Sequence, residues 1–112
     1  MTAGQVIVVI ALMAQIYTAP AGQMTCVVGA ESDFCTTATN GIHEGLGQYN
    51  PDTWDWFVAM ALEDPLFVHA DIVRANPDKN DPVVALAIMA WAMAHGYGEH
   101  WSTWGGCTER GR

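Results

Sequence analysis

The sequence predicts a mainly α protein: a helical domain packed around a buried central helix, with at most one small β-hairpin. Three observations predict it. Val83 to Ala94 is apolar without a polar face, and a helix that is apolar all round belongs in the middle of a domain. Asn50-Pro51, Asp64-Pro65 and Asp81-Pro82 each place a capping side chain ahead of a proline, which is a helix-start signal. No multi-strand pattern of alternating apolar and polar residues runs through the chain.

Taken in order, residues 3 to 17 form the first helix, apolar on nearly all sides. Ala19-Pro20-Ala21-Gly22 breaks it, and Pro20 suits the entry of a second helix running to about Ser32. Residues 33 to 50 are rich in Thr, Gly and Asn, so they read as a loop or small hairpin region, with one short hairpin at most within 36–48. Helices follow over roughly 51–63, 65–75 and 82–95, with a polar turn from Asn76 to Asn80. Gly96 and Gly98 end the last of them. Trp54, Trp56 and Trp91 are expected in the core.

The chain has 112 residues and reads as one domain, 1–112. Half of it is hydrophobic (51%), so a substantial core is available. Four Lys or Arg stand against twelve Asp or Glu, a net charge of -8. That balance excludes nucleic acid, whose phosphates need clustered basic residues, and electrostatic attachment to anionic lipid. The apolar runs Val6 to Ile16 and Val83 to Ala94 fall well short of the ~20 residues that span a bilayer. They read as buried core helices, and membrane insertion is not expected. The N-terminus also lacks the positive region of a signal peptide. Cys26, Cys35 and Cys107 form an odd set without zinc-finger spacing. Either all three are ordinary thiols, or a bridge from Cys107 ties the C-terminal segment back to the Glu31 region.

Glu31 is the first charged residue; the thirty residues before it hold no Asp, Glu, Lys or Arg. Desolvation disfavours the charged form of a carboxyl at the end of an apolar helix, which suits a proton donor near neutral pH. Fourteen residues further on begins Gly45-Leu46-Gly47-Gln48-Tyr49-Asn50-Pro51-Asp52-Thr53. Taken alone, Glu31 would read as a surface carboxylate and the glycine segment as a hairpin before a helix.

Together three segments resemble the catalytic domains of lytic transglycosylases and goose-type lysozymes. Gly29-Ala30-Glu31-Ser32-Asp33-Phe34 looks like the family's catalytic Glu-Ser step. Gly45-Leu46-Gly47-Gln48 with Pro51 and Thr53 resembles its Gly-Leu-Met-Gln run followed by Pro-x-Thr, with Gly47 in place of the usual Met. Gly96-Tyr97-Gly98-Glu99-His100-Trp101 and Cys107 look like the C-terminal segment of resuscitation-promoting factors, which share the lysozyme-like fold. The resemblance covers roughly residues 5 to 101.

It implies a lysozyme-like domain that cleaves peptidoglycan between N-acetylmuramic acid and N-acetylglucosamine, with Glu31 as general acid. Glycines would let the saccharide approach the backbone, Gln48 would bond an N-acetyl or hydroxyl group, and Ser32, Tyr49, Tyr97 and Trp101 complete the expected substrate site. Trp104 is a further stacking candidate. The usual Tyr-Asn pair of the lytic enzymes is missing around Tyr97. Glu44, directly before Gly45, is the leading second carboxylate, with Asp33 and Asp52 as the other candidates. A hydrolase needs such a partner; a lytic transglycosylase does without it and leaves an anhydro-sugar end. His95, Glu99 and His100 are broken up by glycines, so no metal site is expected, and no cofactor. The expected partner is the glycan strand, met by a monomer at the bacterial cell wall as a phage lysin, a virion lysozyme or an extracellular enzyme. Two other classes remain: a non-catalytic saccharide-binding or virion structural protein on the same fold, and a holin-like membrane protein.

Overall fold

The computed structural model describes residues 1–110. Within them the chain is mainly α: helices α1 (Ala3–Tyr17), α2 (Ala21–Ser32), α3 (Pro51–Glu63), α4 (Ala70–Ala75), α5 (Pro82–Ala94) and α6 (Trp104–Arg110), with a 3-10 turn at Gly98–His100 before α6.

Local chemistry starts three of these helices. Thr2 accepts from the Gln5 amide while the Gln5 side chain accepts from the Thr2 amide, a reciprocal cap on α1. Asn50 accepts from the Thr53 amide at 2.8 Å and Pro51 opens α3. Asp81 accepts from the amides of Val83 and Val84, and Pro82 opens α5. Helix α5 is the centre of the molecule. Every residue from Val84 to Met93 is buried, and α1, α2 and α3 pack around it.

Three expectations are corrected. The proline at 65 does not open a helix: Asp64 ends α3, residues 65–69 form turns, and α4 starts at Ala70. The reason is tertiary. One Asp64 carboxylate oxygen accepts from the Leu66 amide and the other from the Trp91 indole, both at 2.9 Å, so the side chain braces α3 against α5. The first helix is not buried all round: Val6, Ile10, Met13 and Ala14 face the core, whereas Val8 (59% exposed) and Leu12 (53%) face outward. Trp56 is 44% exposed, lying on the outer side of α3 against Tyr97 and His100, while Trp54 and Trp91 are buried. The stretch between α2 and α3 agrees with the reading of a loop with one small hairpin at most: among the described residues it forms no strand and holds isolated bridges, Thr39 with Glu44 and Glu44 with Tyr49.

Helix α6 was not expected. Gly105 and Gly106 argue against a helix there, but tertiary bonds hold it. A disulfide joins Cys26 on α2 to Cys107 on α6, which is the second of the two cysteine arrangements left open above; Cys35 is free and exposed. Beside the bridge, Gln23 Nε2 donates to the Trp104 carbonyl at 2.8 Å and to Thr108 Oγ1 at 3.0 Å. No helix among the described residues is long and apolar enough to cross a membrane.

Candidate functional site

Glu31 stands on the last turn of α2, half-buried, where the helix stops because Asp33 and Phe34 both turn into the left-handed region (φ 52° and 59°). It lines a cleft of about 160 Å³ together with His43, Gln48, Tyr49, Asn50, Thr53, Phe57, His100, Trp101 and Ser102. The cleft thus joins the end of α2, the glycine-rich loop, the start of α3 and the segment before α6.

The loop is built around two close approaches. Gly45 has φ +77°, and a Cβ there would lie 2.3 Å from the Lys79 carbonyl oxygen, so glycine is required both by conformation and by space. At Gly47 a Cβ would lie 2.4 Å from the Tyr49 ring. The Tyr49 ring therefore occupies the space that a side chain at 47 would need. Gln48 then takes φ 47°, and its Nε2 donates to the carbonyls of Ala38 (3.0 Å) and Gly45 (2.9 Å). These bonds use the amide nitrogen to hold the loop. Trp101 secures the same loop from the other side, its indole donating to the Gly47 carbonyl at 2.9 Å and its ring stacking on Phe57.

Glu31, Gln48, Tyr49 and Trp101 are brought together in this cleft. Their exposures differ in a way that assigns different parts to them. Tyr49 is 2% exposed and its hydroxyl donates to the Ala85 carbonyl at 2.9 Å. Burial pushes this phenol well above its ordinary range, so it stays a neutral donor committed to α5. Tyr49 and Trp101 (6% exposed) are floor residues rather than open stacking platforms. Ser32 does not line the cleft; it is buried and its hydroxyl donates to the Val28 carbonyl at 2.9 Å, closing the last turn of α2. Tyr97 and Trp104 also lie outside the lining. Tyr97 packs on Trp91 and Trp56, and Trp104 packs against the core beside Gly98.

The carboxylates separate clearly. Glu44 pairs its backbone with Tyr49 in both directions at 3.1 Å, while its side chain accepts from Asn80 Nδ2 at 2.9 Å and faces Lys79 at 3.7 Å. It therefore points to the loop before α5 and does not line the cleft. Asp33 and Asp52 are exposed and do not line it either. Among the described residues, Glu31 is the one carboxylate in the lining.

Several lining residues went unrecognised in the sequence. Asn50 and Thr53 are visible there as a cap and a motif position, but not as cleft walls. His43, Phe57 and Ser102 carry no signal beyond proximity to Gln48, Trp54 or Trp101, and His100 stands in the Gly96–Trp101 segment without being singled out as a cleft wall. Thr103 is the most consequential omission: its hydroxyl donates to Glu31 Oε1 at 3.1 Å across 72 residues of chain. His95 and His100 belong to different clefts. His95 stacks on Trp91 and approaches Asp64 at 3.4 Å. Its neighbour Asp64 is held below the usual carboxylate range, first by the Trp91 indole, then by the Leu66 amide, with His95 adding a smaller effect.

A second polar contact lies remote from the cleft. Tyr17 at the end of α1 shares a hydrogen bond between its hydroxyl and His69 Nδ1, and also accepts from the His69 amide at 3.2 Å. Burial pushes the Tyr17 phenol up to about 12 and pushes His69 down. The pair joins α1 to the turn before α4.

Compared with known protein families, curated proteins and solved structures, the chain matches none.

Proposed function

We propose that this protein cleaves the β-1,4 bond between N-acetylmuramic acid and N-acetylglucosamine in peptidoglycan, with Glu31 as general acid. The observation that carries the reading is the placement of Glu31 in one cleft with the glycine-rich loop and Trp101, as its only lining carboxylate among the described residues. The resemblance of Glu31-Ser32 and Gly45-Leu46-Gly47-Gln48 to lytic enzymes of the wall supports the substrate class.

Cleavage requires a carboxylic acid that protonates the leaving glycosidic oxygen. Glu31 supplies that proton, and the muramoyl C1–O bond breaks as positive charge builds on the ring. Gln48 has Nε2 engaged within its loop, so its Oε1 is the group it offers to a sugar hydroxyl or N-acetyl N–H. Asn50 and Thr53 have their capping bond at the cleft edge and extend the polar wall on that side.

The lytic transglycosylase mode is favoured over hydrolysis by the surroundings of Glu44. Paired-carboxylate glycosidases hold their two groups about 5–9.5 Å apart across the bond, whereas the Glu44 carboxylate is bonded to Asn80 outside the cleft. With one carboxylate, the substrate's own C6 hydroxyl attacks C1. Glu31, now ionised, takes the hydroxyl proton, which closes the anhydro ring and restores the acid. Peptidoglycan strands are the partner in this reading, and the site of action is the bacterial wall, as for a phage lysin or virion lysozyme.

Glu31→Gln removes the transferable proton while keeping the size and a polar end of the side chain. The variant is expected to keep its melting temperature and release no soluble fragments from purified peptidoglycan. Normal fragment release by the variant would remove Glu31 from the mechanism. A folded wild type that binds the wall without releasing fragments would instead indicate a saccharide-binding protein.

A further inference from the structure

We infer that Thr103 is the positioning residue of Glu31, and that the Cys26–Cys107 disulfide acts on the reaction through it; this rests on the reading of Glu31 as the acid. Thr103 Oγ1 donates to Glu31 Oε1 at 3.1 Å, yet Thr103 is not among the residues lining the substrate cleft. It reaches the acid from outside the cleft lining. A hydroxyl that donates to one carboxyl oxygen marks that oxygen as the acceptor. The transferable proton then belongs on Oε2. After transfer, the same hydroxyl bonds the carboxylate, a stronger hydrogen bond than to a neutral group.

Thr103 stands immediately before α6 and makes this contact across 72 residues of chain. What places it there is the attachment of α6 to α2, the helix that also carries Glu31. Three bonds make that attachment, one covalent and two from Gln23. The Cys26–Cys107 bridge lies five residues before Glu31 on α2 and four after Thr103. Gln23, one turn earlier on α2, binds the Trp104 carbonyl and the Thr108 hydroxyl. These three bonds fix α6 along α2 and so fix the neighbouring Thr103 hydroxyl over the carboxyl. The disulfide thereby has a second role besides stability: it keeps the acid oriented.

A cycle of variants tests this with peptidoglycan as substrate. Thr103→Val keeps the shape and removes the hydroxyl; kcat is expected to fall about tenfold, from the loss of one hydrogen bond to a charged group, with KM little changed. Thr103→Ser is expected to restore most of it. Cys26→Ser/Cys107→Ser is expected to lose a similar factor while still folded at the assay temperature. Adding Thr103→Val to it is expected to cause little further loss, because both changes remove the same contact. If the cysteine variant does not fold, Gln23→Met replaces it in the cycle. Normal kcat in Thr103→Val, or multiplicative losses in the combined variant, would overturn the inference while leaving Glu31 as the acid. A wild type without product would overturn the reading of function itself.

Discussion

Gly47 offers a prediction in which two physical effects have opposite signs. Its φ is not positive, so alanine has no conformational objection. By unfolded-state entropy alone, Gly47→Ala would stabilise the fold by about 0.4–1 kcal/mol. Packing opposes this. The new Cβ would lie 2.4 Å from Tyr49 Cε2 and 2.7 Å from Cζ. The ring cannot withdraw easily: it is 2% exposed, its hydroxyl is bonded to the Ala85 carbonyl, and its centroid lies 4.6 Å from that of Trp54. Overpacking of a closed core typically costs about 1–3 kcal/mol. The steric effect wins, leaving a net loss of about 1–2 kcal/mol, or roughly 5–10 °C in melting temperature for a domain of this size. Calorimetry of Gly47→Ala measures it. In a Tyr49→Leu background the ring is gone, and the cost of Gly47→Ala is expected to shrink to within about 0.5 kcal/mol. A Gly47→Ala protein that melts at or above the wild-type temperature would refute the packing argument.

Two further predictions concern pH and the helix braces. Burial lowers the His69 pKa in the fold, so the unfolded chain binds the proton more readily. The contribution of neutral His69 is complete above its unfolded value of about 6.5 and is lost as pH falls toward the lower folded value; His69→Gln is expected to flatten the decline in melting temperature between about pH 7.5 and 5, and an unchanged decline would exclude His69 as its source. Asp64 is held below its ordinary 3.8 by the Trp91 indole, so its stabilisation is complete above that value and lost as pH falls through the depressed one. Asp64→Asn is expected to melt lower near neutral pH with a smaller further loss below pH 4; a variant that follows the wild-type acid curve would show that the brace is unimportant.

What was legible in the sequence follows from the range of the interactions involved. The starts of α3 and α5 were readable because Asn50 and Asp81 cap their own helices within three residues. The same dipeptide at Asp64-Pro65 misled because its carboxylate is claimed by Trp91, 27 residues away. Glycine content hid α6, whose supports, Gln23 and Cys26, lie more than eighty residues earlier in the chain. The uncharged sequence of α1 concealed which face packs inward, since Val8 and Leu12 are as apolar as Val6 and Ile10. At the cleft, the resemblance to lytic enzymes pointed to Glu31 and Gln48, and both line it. The engagement of Glu44 with Asn80 and of Thr103 with Glu31 was not, because neither partner is near in sequence and both side chains are ordinary polar groups.

Mass spectrometry of the fragments released from purified peptidoglycan tests the central claim most directly. The account predicts that the wild-type protein releases fragments with anhydro-muramic ends, one water lighter than hydrolytic products, and that Glu31→Gln, folded to the same melting temperature, releases none. The same fragments from the Glu31→Gln protein at the wild-type rate would contradict it, and so would reducing muramic ends from the wild type, which show that water and not the C6 hydroxyl attacks C1.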